Sequence, residues 1–232
     1  MISDFFKFLL PNRPVPTRVL RGPFRGARVV MNPRHSMRKI FGLYESELNG
    51  WLEVVLRRCD CVLDVGANDG YFTFGCVAAF RRLGKVGEII AFEPQQQHID
   101  TLQESIDRHR IGATQITLLQ TLVGGKICAE ATTLDAVRWR TGDPECRTHT
   151  LVKIDVEGAE LEVLSGALSW INSANYFVIE VHEESFLESI IRLFASRNLR
   201  LTKIDQLPLP VLGGEMRAKS NWWLVSDLGA AP

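Results

Sequence analysis

Apolar and polar positions follow one another in a repeating order along this chain. A short continuous apolar run leads to a turn marked by glycine or proline, and a longer stretch with apolar residues at helical spacing follows. Cys61–Val65 is the first such run and predicts a buried strand, with residues 71–80 as the buried helix after it. Glu88–Phe92 predicts the next strand, and Ile99, Leu102 and Ile106 give the segment that Pro94 opens the apolar stripe of a helix. Residues 116–123, ended by Gly124-Gly125, predict a third strand. Residues 151–155 predict a fourth, before a helix with Leu161, Leu164 and Leu168 inward. Residues 176–182 predict a fifth, before a helix faced by Phe186, Leu187, Ile190, Ile191 and Phe194. Leu201–Ile204 and residues 222–225 close the chain as an antiparallel pair around a Pro/Gly loop at 208–214. Strands alternating with helices specify an α/β protein built on a mostly parallel sheet.

Flanking segments are less regular. Tyr44, Leu48, Trp51, Leu52 and Val55 predict a helix just before the first sheet strand, placed to close over a pocket. Residues 17–31 read as short strands capping a core, residues 132–137 as a short turn or helix start, and the polar residues 138–149 as a loop.

A chain of 232 residues fits one α/β domain with a short extension, or two small domains. Lysine plus arginine and aspartate plus glutamate both number 27, so net charge offers no whole-chain case for nucleic acid. The five cysteines include no C-x-x-C pair, and Cys61 and Cys76 sit in apolar runs; a reduced, cytoplasmic protein is expected. Residues 1–40 form a distinct basic arm, with nine Lys or Arg against Asp4 alone, ahead of a domain at 41–232. Its apolar start is too short to span a bilayer and lacks the flanks of a signal peptide. Such an arm suits an anionic membrane surface or a phosphorylated acceptor. The favoured alternative is an arm whose phenylalanines pack on the domain.

The chemistry gathers at the strand ends. After the first sheet strand comes Gly66-Ala67-Asn68-Asp69-Gly70, a turn whose glycines permit positive φ and close approach of a ligand to the backbone. Asp64 stands two residues before it. A strand, a glycine turn and a helix make the ligand crevice of an open α/β sheet. The arrangement resembles the first motif of class I S-adenosylmethionine methyltransferases. That resemblance implies that Asp64 helps hold the cofactor's charged amino-acid end while the turn from Gly66 through Ala67 and Asn68 to Gly70 passes under it. Glu93, at the end of the second sheet strand, can accept both hydroxyls of a ribose, as acids at this place do in dinucleotide folds. A dinucleotide site would want G-x-G-x-x-G and a helix start free for pyrophosphate, whereas Asp64 would repel phosphate. Glu45 could reach the cofactor's ammonium group, or be a solvated acid at a helix start.

Lys153 and Asp155 lie two apart on one face of the fourth sheet strand, either as a structural ion pair or as site residues. Here the resemblance narrows. The stretches at 63–73, 89–94, 132–135, 152–167 and 177–182 are similar, in order, to the signature of the FkbM family of S-adenosylmethionine-dependent methyltransferases. The match implies the class I fold: Rossmann-like, seven strands, mostly parallel with an antiparallel closing hairpin, helices on both faces. It also implies O-methylation of a sugar, glycolipid or polyketide hydroxyl, with a small-molecule or glycan acceptor. The segment between the third strand and Thr132 is shorter than is usual in the family, so acceptor identity does not carry over. Asp155 and His182 are the candidates for handling the hydroxyl proton, with Glu157 and Glu180 behind them. As metal ligands Asp155 and His182 alone are too few. A nucleotide-dependent oxidoreductase and a non-catalytic methyltransferase-like binding module are the rival expectations.

Overall fold

The computed structural model describes residues 10–108, 112–137, 149–205 and 221–228. Strands β1 (Val15–Arg18) and β2 (Arg28–Met31) pair antiparallel, from Val15 opposite Met31 to Arg18 opposite Arg28. Five prolines within residues 11–33 keep this region from forming a long helix. Only a five-residue helix, α1 (Met37–Phe41), follows, then a 3-10 turn at Ser46–Leu48 and α2 (Asn49–Arg58). The expected stripe before the first sheet strand is realised across that turn and α2, where Leu48, Leu52 and Val55 are buried.

From β3 (Cys61–Val65) the chain alternates as its pattern predicts. There follow α3 (Tyr71–Arg82), β4 (Glu88–Phe92), α4 (Gln96–Arg108) and β5 (Gln115–Leu119). The third strand of the sheet is shorter than residues 116–123, because its partner ends opposite it, Phe92 facing Leu119. Beyond that point the chain turns, and β6 (Leu122–Val123) pairs in parallel with β7 (Ala131–Thr132) in a separate ribbon. A 3-10 turn at Leu134–Ala136 comes next. Then come β8 (Thr150–Ile154), α5 (Glu160–Ser165), β9 (Tyr176–Val181), α6 (Glu184–Ala195), β10 (Leu201–Ile204) and β11 (Trp222–Ser226). The loops expected at 138–149 and 208–214 lie outside the described residues, His149 apart.

The seven-stranded sheet has the order β10-β11-β9-β8-β3-β4-β5. Every neighbouring pair from β9 to β5 is parallel, while β11 runs antiparallel to both β9 and β10. The last strand therefore inserts inside the edge and completes the expected antiparallel closure. Alternate strand residues feed two cores. Val62, Ile89, Leu151 and Val178 face α2, α3, α4 and the β1–β2 ribbon. Leu63, Ile90, Val152 and Ile179 face α5 and α6. The strands are buried on both sides, which is why they read as continuous apolar runs.

Two helix faces differ from expectation. Leu168 is 37% exposed, because α5 stops at Ser165 and the following turn is held elsewhere. Asp135 accepts the backbone N–H groups of Leu168 (3.1 Å) and Ser169 (2.9 Å), and the Ser169 hydroxyl at 2.5 Å. The buried stripe of α5 is Glu160, Val163 and Leu164, at i, i+3 and i+4; of the expected residues Leu164 is buried and Leu161 packs partly buried against the core. Ile191 on α6 is likewise exposed, while Ile190 and Phe194 are buried.

Candidate active site

The chain runs from β3 out to β4 and β5, then returns to lay β8 on the other side of β3. The crevice at such a reversal is where open α/β sheets bind ligands. It is built tightly here. The Asp155 amide donates to the Val65 carbonyl (3.1 Å), which draws the ends of β8 and β3 together. Gly66 then passes so close that a Cβ would lie 1.9 Å from the Asp155 carbonyl oxygen, and its φ is +80°. No L side chain fits both conditions. Asn68 takes the left-handed conformation that Asn tolerates, with φ 49°. Gly70, at φ +83°, ends the turn and begins α3.

The start of α3 is already occupied electrostatically. The Tyr71 amide donates to Asp69 Oδ1 (3.1 Å), and Asp69 pairs with Lys39 at 2.5 Å. A carboxylate thus stands where a dinucleotide fold would place its pyrophosphate.

A cavity of about 240 Å³ opens beside the turn, lined by residues that include Gly66, Asn68, Glu93, His98, Leu122 and Asp155. Glu93 is buried at its edge. Its Oε2 accepts the Asn68 amide (2.8 Å) and its Oε1 the Gln95 amide (2.9 Å), with His98 Nδ1 3.5 Å away. Each oxygen keeps a lone pair for a ligand hydroxyl. Glycine close approach, a fixed acceptor carboxylate and a carboxylate at the helix start fit a ligand that offers hydroxyl groups rather than a pyrophosphate.

The other residues expected at the cofactor lie behind this surface. Ala67 is buried, its amide donating to the Phe92 carbonyl (3.0 Å), and Gly70 packs against Leu102 and Phe74. Asp64 is fully enclosed. Its Oδ2 accepts the Thr73 hydroxyl (2.6 Å), and its Oδ1 lies 3.3 Å from Lys153 Nζ. Lys153 also reaches Asp155 at 3.2 Å and donates to the Gly66 carbonyl (2.8 Å). Burial would push the Lys153 pKa down, but Asp155, Asp64 and Glu45 outweigh it and hold the ammonium charged. Asp64, Lys153 and Asp155 therefore form one ionic chain under the turn, buried at Asp64 and Lys153 and reaching the cavity at Asp155. Glu45 lies outside the cavity lining. It begins the 3-10 turn with φ 52°, and its charge bears on Lys153 and Tyr71.

At the far end of the crevice Asp155 and His182 meet, because β8 and β9 are parallel neighbours. His182 Nε2 is 3.8 Å from Asp155 Oδ1, and its Nδ1 is 2.6 Å from Glu160 Oε1. The bond to Glu160 raises the His182 pKa; burial opposes this, and Glu180 and Asp155 add to the rise. Burial works to raise the pKa of Asp155, yet Lys153 and then His182 hold it below the usual carboxylate value. Glu180 is buried beside them and accepts from Asn221 (3.2 Å), and Glu157 lines the cavity with a φ of 41°. Asp155, Glu180 and His182 each offer a donor atom, all within 4.8 Å of one another.

Sequence reasoning assigned no site role to His98 or to Glu160. His98 has no local signature. Glu160 is buried only because of the face that α5 turns inward, which the pattern of Leu161, Leu164 and Leu168 does not indicate.

A family model described as the methyltransferase FkbM domain matches residues 103–201. Hexuronic acid methyltransferase AglP of Haloferax volcanii is 26% identical over 167 residues, which is 63% of this chain and 67% of that protein. The crystal structure of methyltransferase FkbM from Methylobacillus flagellatus superposes with a TM-score of 0.59 at 18% identity. The overlap covers 82% of this chain and 54% of that one, so this chain spans about half the length of that structure.

Proposed function

We propose that this chain, like the methyltransferases whose FkbM domain model matches residues 103–201, transfers a methyl group from S-adenosylmethionine to a hydroxyl of a carbohydrate acceptor, with a hexuronic acid as the leading candidate. The observation that carries the proposal is the convergence on one cavity of Gly66, Asn68 and Glu93 from the β3 and β4 ends and Asp155 from the β8 end, with His182 beside it. When bound, S-adenosylmethionine supplies a methyl group already activated by its sulfonium. Glu93 holds the ribose hydroxyls, and the bare Gly66 backbone admits the ligand. Asp155, kept ionised by Lys153, offers negative charge to a cationic ligand. Asp64 and Glu45 act at one remove, through Lys153. His182 takes the proton of the acceptor hydroxyl, a weak nucleophile that benefits from a positioned base. A carbohydrate acceptor is supported by the likeness to a hexuronic acid methyltransferase and by these acid–base groups.

Calorimetric titration with S-adenosylmethionine tests cofactor use. Glu93→Ala should weaken binding by roughly 1.5–3 kcal/mol, the loss expected for hydrogen bonds to a charged group. Incubation with glucuronic acid, and with glucose as the neutral comparison, should yield a product heavier by one methyl group in mass spectrometry. No heat at millimolar cofactor, or unchanged binding by Glu93→Ala, would sink the proposal.

A further inference from the structure

Glu160 has a cost that stability alone does not explain. It is fully buried on the core-facing stripe of α5, and its Oε2 is buried with no hydrogen-bond partner. Its Oε1 does all the work, accepting the Gly158 amide (3.1 Å) and lying 2.6 Å from His182 Nδ1. A neutral or apolar side chain would fill this place with less desolvation.

We propose that Glu160 is the positioning residue that makes His182 the base of this site, a proposal that rests on the methyl-transfer reading above. An ionised carboxylate only accepts hydrogen bonds, so Glu160 compels the imidazole to carry its proton on Nδ1. The neutral ring then has its lone pair on Nε2, the nitrogen facing Asp155. At 3.8 Å that contact is too long to be a hydrogen bond, so Nε2 is not spent on Asp155 and stays available to a hydroxyl placed beside it. As the acceptor oxygen bonds to the methyl carbon, the carbon–sulfur bond breaks with its electron pair left on sulfur. The hydroxyl proton passes to Nε2, and its bonding pair remains on oxygen. One positive charge leaves sulfur and one appears on the imidazole. The charged groups facing that ring are Glu160 on α5, Glu180 near the end of β9 and Asp155 after β8, all acidic. Lys153 stands behind Asp155. Glu160 touches neither substrate nor cofactor and acts only through the ring.

The test compares wild type with Glu160→Gln and Glu160→Asp in the full chain. Glutamine can donate to Nδ1 and so leave the proton on Nε2, the wrong nitrogen for a base. NMR titration of the His182 ring, without cofactor, should show a lower pKa in Glu160→Gln and partial recovery in Glu160→Asp. Turnover of glucuronic acid at saturating cofactor should fall about 100-fold or more in Glu160→Gln. The acid limb of its kcat profile should move to lower pH, and the S-adenosylmethionine Kd should stay within about twofold, since no cofactor contact is lost. An unchanged His182 titration in Glu160→Gln overturns the proposal, even if turnover drops, because the effect would then be structural. So does turnover abolished by EDTA and restored by Mg²⁺ or Mn²⁺, which would make His182 a metal ligand. If wild type methylates no acceptor, the functional reading fails, while the NMR titration still decides whether Glu160 sets the state of His182.

Discussion

Lys153 shows at the level of one residue how this site is held. A lysine with 5% exposure needs compensating charge, and it has two carboxylates within 3.3 Å and the Gly66 carbonyl besides. In sequence Lys153 and Asp155 are visibly one face of a strand. That Asp64 completes the chain depends on β3 and β8 being neighbours, with Asp64 in register with Lys153. Lys153→Met should leave Asp64 enclosed with only the Thr73 hydroxyl as partner and destabilise the fold by roughly 3–5 kcal/mol, as for a broken buried pair. Urea unfolding gives the answer: a loss under about 1 kcal/mol would mean that Asp64 takes up a proton at little cost.

Among the elements, the β1–β2 ribbon shares a core with the helices of the domain. Val19, Phe24, Ala27, Val29 and Met31 are buried in the same core as α3 and α4. Phe24 meets Tyr71 and Phe72 edge-on, at centroid distances of 5.3 Å each. Gly75 makes the room, since a Cβ there would lie 2.4 Å from the Phe24 ring. Several basic groups also have local partners: Arg25 pairs with Glu53 at 2.8 Å, and Lys39 with Asp69. Phe24→Ala should cost about 3–5 kcal/mol, as for truncation of a buried aromatic. Thermal and urea unfolding check this. An unchanged midpoint, or salt-sensitive sedimentation of wild type with acidic vesicles, would instead favour an arm that serves a membrane surface.

Charge coupling at the β8 and β9 ends gives the whole molecule a pH dependence. Asp155 and Glu160 have folded pKa values below their unfolded ones. Burial alone would raise both, but Lys153 for Asp155, and the His182 and Gly158 bonds for Glu160, outweigh it. Their contribution is present above the unfolded carboxylate values, roughly pH 4, and is lost as pH falls through the folded ones. His182 is raised, so its contribution is complete below about pH 6.5 and is lost as pH rises through its folded pKa. Stability measured by urea unfolding should therefore climb from pH 3 to 5 and decline again above about pH 6.5. His182→Ala should flatten the upper decline, and Asp155→Asn should reduce the acid slope. An upper decline that survives in His182→Ala would place its origin elsewhere.

Features that depend only on near neighbours along the chain can be read without the fold. Continuous apolar runs marked the buried strands, and their order with the helices specified the sheet. The Gly66–Gly70 turn and the acids at strand ends marked the crevice, because glycine conformation and strand termination are local matters. Tertiary structure alone decided which strand ends become neighbours, and with that the partners of the buried charges. Asp64 lies 89 positions from Lys153, and Glu160 lies 22 from His182; both pairings exist only because β8 sits between β3 and β9. The face that α5 buries was also settled this way. Its helix ends at Ser165, and Asp135 holds the chain beyond, so Glu160 rather than Leu168 turns inward. Side-chain periodicity specifies a stripe only when the helix bounds are known, and here the chain beyond Ser165 is held by Asp135, 33 residues away.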